Sequence, residues 1–174
     1  PFLNGGMVEF PHLCLIVSGG HTELVLVRGA GEYRLLGQTI DDAAGEAFDK
    51  GARLLGLGYP GGYAVQDAAK AGDPGRYRLP RALKSDPHNF SFSGLKTAVL
   101  RLVEAEGDRI DVRDAAASLQ AAIVDVLVDK AMRALEDSGV RALTLVGGVA
   151  ANTELRKRLA FECERAGVAF ATPD

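Results

Sequence analysis

The chain has 174 residues, 47% hydrophobic and 25% charged, with a formal net charge of −3, which fits one soluble globular domain with a real core. No global field draws in nucleic acid, so such a partner would need a local patch, and no apolar stretch is long enough to span a bilayer. Two cysteines without metal-like spacing, Cys14 and Cys163, and the lack of a signal peptide point to a reduced, cytoplasmic compartment.

Three strands are predicted first, over Leu13–Ser18, Thr22–Arg28 and Tyr33–Ile40. The first is apolar throughout, as expected of a strand buried on both faces. The short links, Ser18–Thr22 and Gly29–Glu32, make the three an antiparallel meander. A helix follows over Ala43–Leu55, with Ala44, Ala47, Phe48, Ala52 and Leu55 on one face, Asp41 or Asp42 as its cap and Gly56 as its stop. Tyr59-Pro60-Gly61-Gly62 reads as a turn into a second helix ending near Ala71. Residues 72–92 show no periodicity. Helices resume over Gly94–Glu106 and Asp114–Ser138, the latter with Leu119, Ala122, Ile123, Val126 and Leu127 in one stripe and Gly139 as its stop. Ala142–Val146 is a strand, Thr153–Ala166 a helix ended by Gly167, and Val168–Ala171 a last strand. This order predicts an α/β layer structure, a mixed sheet covered by helices.

Two glycine-rich turns carry most of the chemistry. Ser18-Gly19-Gly20-His21-Thr22 and Gly147-Gly148-Val149-Ala150-Ala151-Asn152 each follow an apolar run. Glycine pairs let backbone N–H groups face an anion, and two such loops suggest a nucleotide-like ligand between them. Ser18, His21 and Thr22 add polar groups that suit phosphate or carboxylate oxygens, although the first turn is also an ordinary hairpin. The second leads into a helix N-terminus, which favours anions, and Asn152 reads as its cap. The spacing matches neither a dinucleotide fingerprint nor a P-loop.

Acidic residues cluster over Asp41–Lys50. A solvated first turn and a Glu46–Lys50 pair account for most of them. Asp49, beside Phe48 at the edge of the apolar face, is placed to take ribose hydroxyls. In Phe90-Ser91-Phe92-Ser93-Gly94-Leu95-Lys96-Thr97, Ser93 is the expected helix cap, the two aromatics read as core, and Ser93 and Lys96 stand as secondary ligand candidates with His21, Thr22, Glu46, Gly147 and Gly148. Arg76–Lys84 carries four cations and Tyr77, the best local candidate for an RNA backbone contact. His12, His21 and His88 form no helical metal pair, and no nucleophile elbow or Cys–His arrangement is present.

Taken in order, Val17–Thr22, Ile40–Lys50, Tyr59–Gly62, Phe90–Thr97 and Gly147–Asn152 resemble the TsaD family, also called Gcp or YgjD, with relatives in the KEOPS complex. The resemblance runs from about Pro11 to Asp174. It implies an actin-like ATPase lobe (ribonuclease H-like), and transfer of threonylcarbamoyl from threonylcarbamoyl-AMP to N6 of the adenosine beside the tRNA anticodon. It implies adenylate binding by the loop Ile16, Val17, Ser18, Gly19 and Gly20 and by Asp49, Gly62 and Asn152. Gly62 would otherwise read only as a turn residue. The family's His-x-x-x-His and Asp-Asn metal ligands have no match here, and Ile16 stands where archaeal relatives have a metal-binding tyrosine. On this reading residues 1–10 are a tail from a missing first lobe. Residues 11–174 are the second lobe, with a helical insertion over about 60–138 and a truncated end. A full-length parent would hold a divalent metal, iron or zinc, and work with TsaB, TsaE and tRNA. The piece itself would hold no metal and be inactive alone, although an ATP- or AMP-type ligand and self-association stay open to it. The competing readings are an actin-like kinase or ATPase acting on a small metabolite, the family's older label of O-sialoglycoprotein endopeptidase, and a non-catalytic binding module.

Overall fold

The structure, a computed structural model, describes residues 2–3 and 6–172. Phe2–Leu3 (β1) and Gly6–Met7 (β2) pair as a small antiparallel ribbon. The main sheet has five strands: His12–Val17 (β3), Thr22–Gly29 (β4), Glu32–Gln38 (β5), Ala142–Val146 (β6) and Ala169–Ala171 (β7), in the order β5-β4-β3-β6-β7. β3, β4 and β5 form the expected antiparallel meander, while β3–β6 and β6–β7 are parallel. The sheet is mixed and carries helices between its strands, an α/β lobe as expected. The apolar run of β3 is explained by its central place between β4 and β6. β5 stops at Gln38, two residues short of expectation, because Thr39 turns to bridge Phe90 and the amide of Ile40 donates to the Phe90 carbonyl at 3.0 Å.

The helices are Ala44–Leu54 (α1), Gly61–Ala69 (α2), Ser93–Glu106 (α3), Val112–Ser138 (α4) and Thr153–Ala166 (α5). α4 is the central one, packing on α1, α2, α3, α5, β3 and β4. The five-residue stripe read from its sequence is buried, and so are positions on its other sides such as Ala117, Val124 and Val128, because neighbours surround it. Its start is two residues earlier than expected, with Asp111 as the cap accepting from the amides of Arg113 and Asp114. Among the described residues no helix is long and apolar enough to cross a membrane.

Two caps differ from the local reading. Neither Asp41 nor Asp42 caps α1. The Ala44 amide donates to the hydroxyl of Thr22 at 2.9 Å, while Asp42 pairs with Lys50 at 2.7 Å. Lys50 also takes Glu46 at 2.9 Å, the predicted i,i+4 pair. Ser93 does not cap α3 either. Asp41 does so from 50 residues away, accepting from the amides of Phe92 (2.8 Å) and Ser93 (3.2 Å) and from the hydroxyls of Ser91 (2.6 Å) and Ser93 (2.9 Å). Partial burial opposes ionisation of this carboxyl, but the four donors outweigh it and hold it below the usual carboxylate range.

Residues 72–92 lack regular structure, as expected, yet are fixed by side chains. The Asp73 amide donates to Asp114 at 2.8 Å, the Tyr77 amide to Ser118 at 3.2 Å, and the buried Lys130 ammonium to the Leu83 and Asp86 carbonyls. The Asp86 carboxylate accepts the amides of Asn89 and His88 and the Asn89 side chain. These bonds, with the nearby Lys130 charge, bring it down to about 2 from an ordinary 3.8. A carboxyl depressed on folding stabilises above its unfolded pKa and loses that contribution as pH falls through its folded one. The urea midpoint of Asp86→Asn is therefore expected to lie below the wild-type one at neutral pH, with the gap closing between about pH 4 and pH 2. A gap that persists unchanged at about pH 2 contradicts this role for the carboxylate.

Candidate functional site

Because β3 and β6 run parallel, paired from Leu13↔Leu143 to Ile16↔Val146, the loops that follow them emerge side by side. Ligands of open α/β sheets collect at such carboxyl ends. Here a cavity of about 300 Å³ opens between the two loops, α1 and α2. Gly19 lines it from the first loop, and Gly148, Val149, Ala151 and Asn152 from the second. α1 contributes Gly45, Phe48 and Asp49, and the Pro60–Gln66 stretch contributes Gly62, Tyr63 and Gln66.

Close packing builds the walls. α1 reaches the first loop because Gly45 has no side chain. Its amide donates to the Ser18 carbonyl at 3.1 Å, and a Cβ there would lie 2.6 Å from that oxygen. Asp49 Oδ1 accepts the Gly61 amide at 2.8 Å, fixing the start of α2 beside α1. Gln66 Oε1 accepts the amide (2.7 Å) and hydroxyl (3.2 Å) of Thr153, tying α2 to the start of α5. Asn152 is the predicted cap, its side-chain Oδ1 accepting the Leu155 amide at 2.9 Å while its side-chain Nδ2 donates to Gln120 Oε1 on α4 at 2.9 Å. The N-terminal turns of α1, α2 and α5 thus meet at one cavity through Gly45, Gly62 and Asn152. Each brings the partial positive charge of a helix start, although the amides of Ala44, Gly45, Gly61, Thr153 and Leu155 already have acceptors.

Of the residues selected from sequence, Gly19, Asp49, Gly62, Gly148 and Asn152 lie together on this wall. The others stand apart from it. Val17 is in the core and Ile16 pairs with Val146 and Glu23 in the sheet. The Ser18 hydroxyl is turned onto its own loop, accepting the amides of Gly20 (3.3 Å) and His21 (3.0 Å), so those two donors face inward rather than outward. Thr22 is fully buried on the Ala44 amide, His21 and Lys96 are exposed, Glu46 is paired with Lys50, and Ser93 is bound to Asp41. Gly147 sits behind the wall, against the Val17 carbonyl. Gln66, Tyr63 and Pro60 escaped the sequence reading because α2 looked like a plain helix after a turn. The one available signal was that its start repeats the glycine pair of the other loops. Among the described residues, no three His, Cys, Asp or Glu side chains gather closely enough to hold a metal ion.

The family model described as TsaD, tRNA N6-adenosine threonylcarbamoyltransferase, matches residues 1–174. A protein of that name from Paracidovorax citrulli is 55% identical over 177 aligned residues, covering 100% of this chain and 51% of its own. The chain spans about half the length of the curated relatives it matches. Among solved structures, full-length HypF in a phosphate- and nucleotide-bound form superposes with a TM-score of 0.71 at 11% identity, over 95% of this chain and 36% of that one. Component A of Acidaminococcus fermentans (R)-2-hydroxyglutaryl-CoA dehydratase does so with a TM-score of 0.57 at 16% identity, over 94% and 55%. Both likenesses are of fold.

Proposed function

This chain belongs to the TsaD family of tRNA N6-adenosine threonylcarbamoyltransferases, and from that premise we propose that it is the adenylate-holding lobe of such an enzyme. The observation that carries this reading is the convergence of three helix N-termini and one carboxylate, Asp49, on a single cavity. Helix N-termini attract the phosphate of an adenylate. Asp49 suits the ribose hydroxyls, and the apolar surfaces of Phe48, Tyr63 and Val149 suit the purine. The threonylcarbamoyl group then extends out of the cavity, where N6 of the tRNA adenosine attacks the carbamoyl carbon. A C–N bond forms, the bond to the phosphate oxygen breaks, AMP leaves and N6 loses a proton. The chain's contribution is to fix the donor for that attack.

The divalent iron or zinc implied for the family finds no ligand set among the described residues, so its ligands are assigned to the remainder of a full-length protein. The same reading brings TsaB and TsaE as bacterial partners, tRNA as acceptor and a cytoplasmic location. The test is transfer of threonylcarbamoyl to tRNA by the full-length protein with its partners. Asn152→Ala removes both the α5 cap and the link to Gln120 and is expected to cut the yield at least ~10-fold, beyond the ~1 kcal/mol of a lost cap. Unchanged yield, or steady ADP release that needs no tRNA, counts against the reading.

A further inference from the structure

A second concave site of about 320 Å³ lies over the other half of α4, where four cationic side chains, Arg81, Lys84, Lys130 and Arg133, face two carboxylates, Asp125 and Asp129. In a chain of net charge −3 this is a local excess of positive charge. Arg81, Lys130 and Arg133 are fixed in place. Arg81 grips Asp125 through Nε (3.0 Å) and Nη2 (2.7 Å) and donates Nη1 to the Leu79 carbonyl at 2.8 Å. Arg158 of α5 reaches the other oxygen of Asp125, adding a fifth cation at the rim. Arg133 pairs with Asp129 at 3.1 Å and holds the Lys84 carbonyl at 3.3 Å. Lys130 is 1% exposed and anchors the Leu83–Asp86 turn from beneath. Lys84 is exposed and makes no ion pair among the described residues. A solvated charge run has no need of such anchoring, whereas cations held in position bind a polyanion at lower ordering cost.

We infer that this face of α4 and the Arg81–Lys84 segment binds the phosphate backbone of the acceptor RNA, an inference that rests on the transferase reading. The two sites share one rigid element. Gln120, bonded to Asn152 at the cavity, and Arg133 lie on the same helix, separated by about 20 Å at 1.5 Å rise per residue. One structured RNA can touch the patch while presenting a base near the cavity. Contacts of this kind position the nucleic acid and carry no sequence information.

The probe is labelled, unmodified tRNA that reads codons beginning with A, titrated against the chain at several salt concentrations, with AMP titrated in parallel. Lys84→Glu and Arg133→Gln are each expected to weaken tRNA binding about 3- to 10-fold at ~0.1 M salt and to lower the slope of log K against log salt by about one. Asp129→Asn, which removes an opposing charge, is expected to strengthen binding about 2- to 5-fold. A damaged fold would not produce this opposite sign. AMP affinity should not move in any of the three. The patch is overturned if wild type binds tRNA and the variants bind it equally, if Asp129→Asn binds more weakly, or if polyglutamate of matched charge competes as well as tRNA, which would indicate an acidic protein partner. If wild type does not bind tRNA while AMP still binds, the patch falls and the transferase reading, tested by transfer in the full-length protein, stands apart from it.

Discussion

Replacing Gly147 with alanine is expected to lower the thermal midpoint by about 10 °C and to collapse the cavity between the two loops. Gly147 has φ 100° and ψ 170°, a region essentially confined to glycine, where another residue costs about 1–3 kcal/mol. A Cβ there would also stand 2.3 Å from the Val17 carbonyl oxygen and 2.8 Å from its carbon. That carbonyl cannot retreat easily, because the preceding residues of β3 and β6 are locked in register as far as Ile16↔Val146. Forcing atoms into a packed position adds about 1–3 kcal/mol more. The sum, about 2–6 kcal/mol and centred near 4, converts to roughly 10 °C for a chain of this length, at about 2–4 °C per kcal/mol. The neighbouring Gly148 is the control. Its would-be Cβ meets nothing within 4 Å, so Gly148→Ala should melt within about 2 °C of wild type while intruding on the cavity it lines. Scanning calorimetry of the two variants decides. Equal, small shifts would mean that the approach of the two loops does not depend on Gly147.

The pattern of these glycines was partly legible from the sequence, and the reason lies in range. Hydrophobic periodicity acts over a few residues, so the strands and helices, the buried faces of α1 and α4 and the stops at Gly139 and Gly167 could be placed directly. Asn152 could be read as a cap because its partner, Leu155, is three residues on. The caps of α1 and α3 could not, because Thr22 and Asp41 act across 22 and about 50 residues, and a local rule assigns the nearest acid or hydroxyl instead. Asp49 stood out because it lies beside Phe48 at the edge of the apolar face of α1. Its contact with the Gly61 amide, 12 residues on, depends on tertiary packing. Gln66 and Tyr63 carry no local signal of this kind. Ser18 illustrates the converse: its loop looks like an anion nest by composition, yet its hydroxyl competes for the same amides and takes two of them.

Asp49 provides the sharpest test of the cavity, through the difference between two substitutions. In Asp49→Ala the Gly61 amide loses its acceptor and the start of α2 loses its link to α1, so both stability and ligand binding are expected to fall. In Asp49→Asn a carbonyl oxygen still accepts from Gly61, so the wall should stay in place and the midpoint should move by no more than a few degrees. The negative charge is gone, however. A carboxylate accepts hydrogen bonds from two ribose hydroxyls better than an amide does, and hydrogen bonds to charged groups are worth about 1.5–3 kcal/mol each against about 1 for neutral ones. Loss of that margin weakens AMP binding about 10-fold or more in Asp49→Asn. Calorimetric titration of AMP and of 2′,3′-dideoxy-AMP separates the causes. If Asp49 holds the ribose, Asp49→Asn closes the gap in affinity between the two nucleotides. Near a phosphate the carboxylate would instead repel the ligand, and Asp49→Asn would bind AMP more tightly than wild type, which would place the ribose elsewhere on the wall.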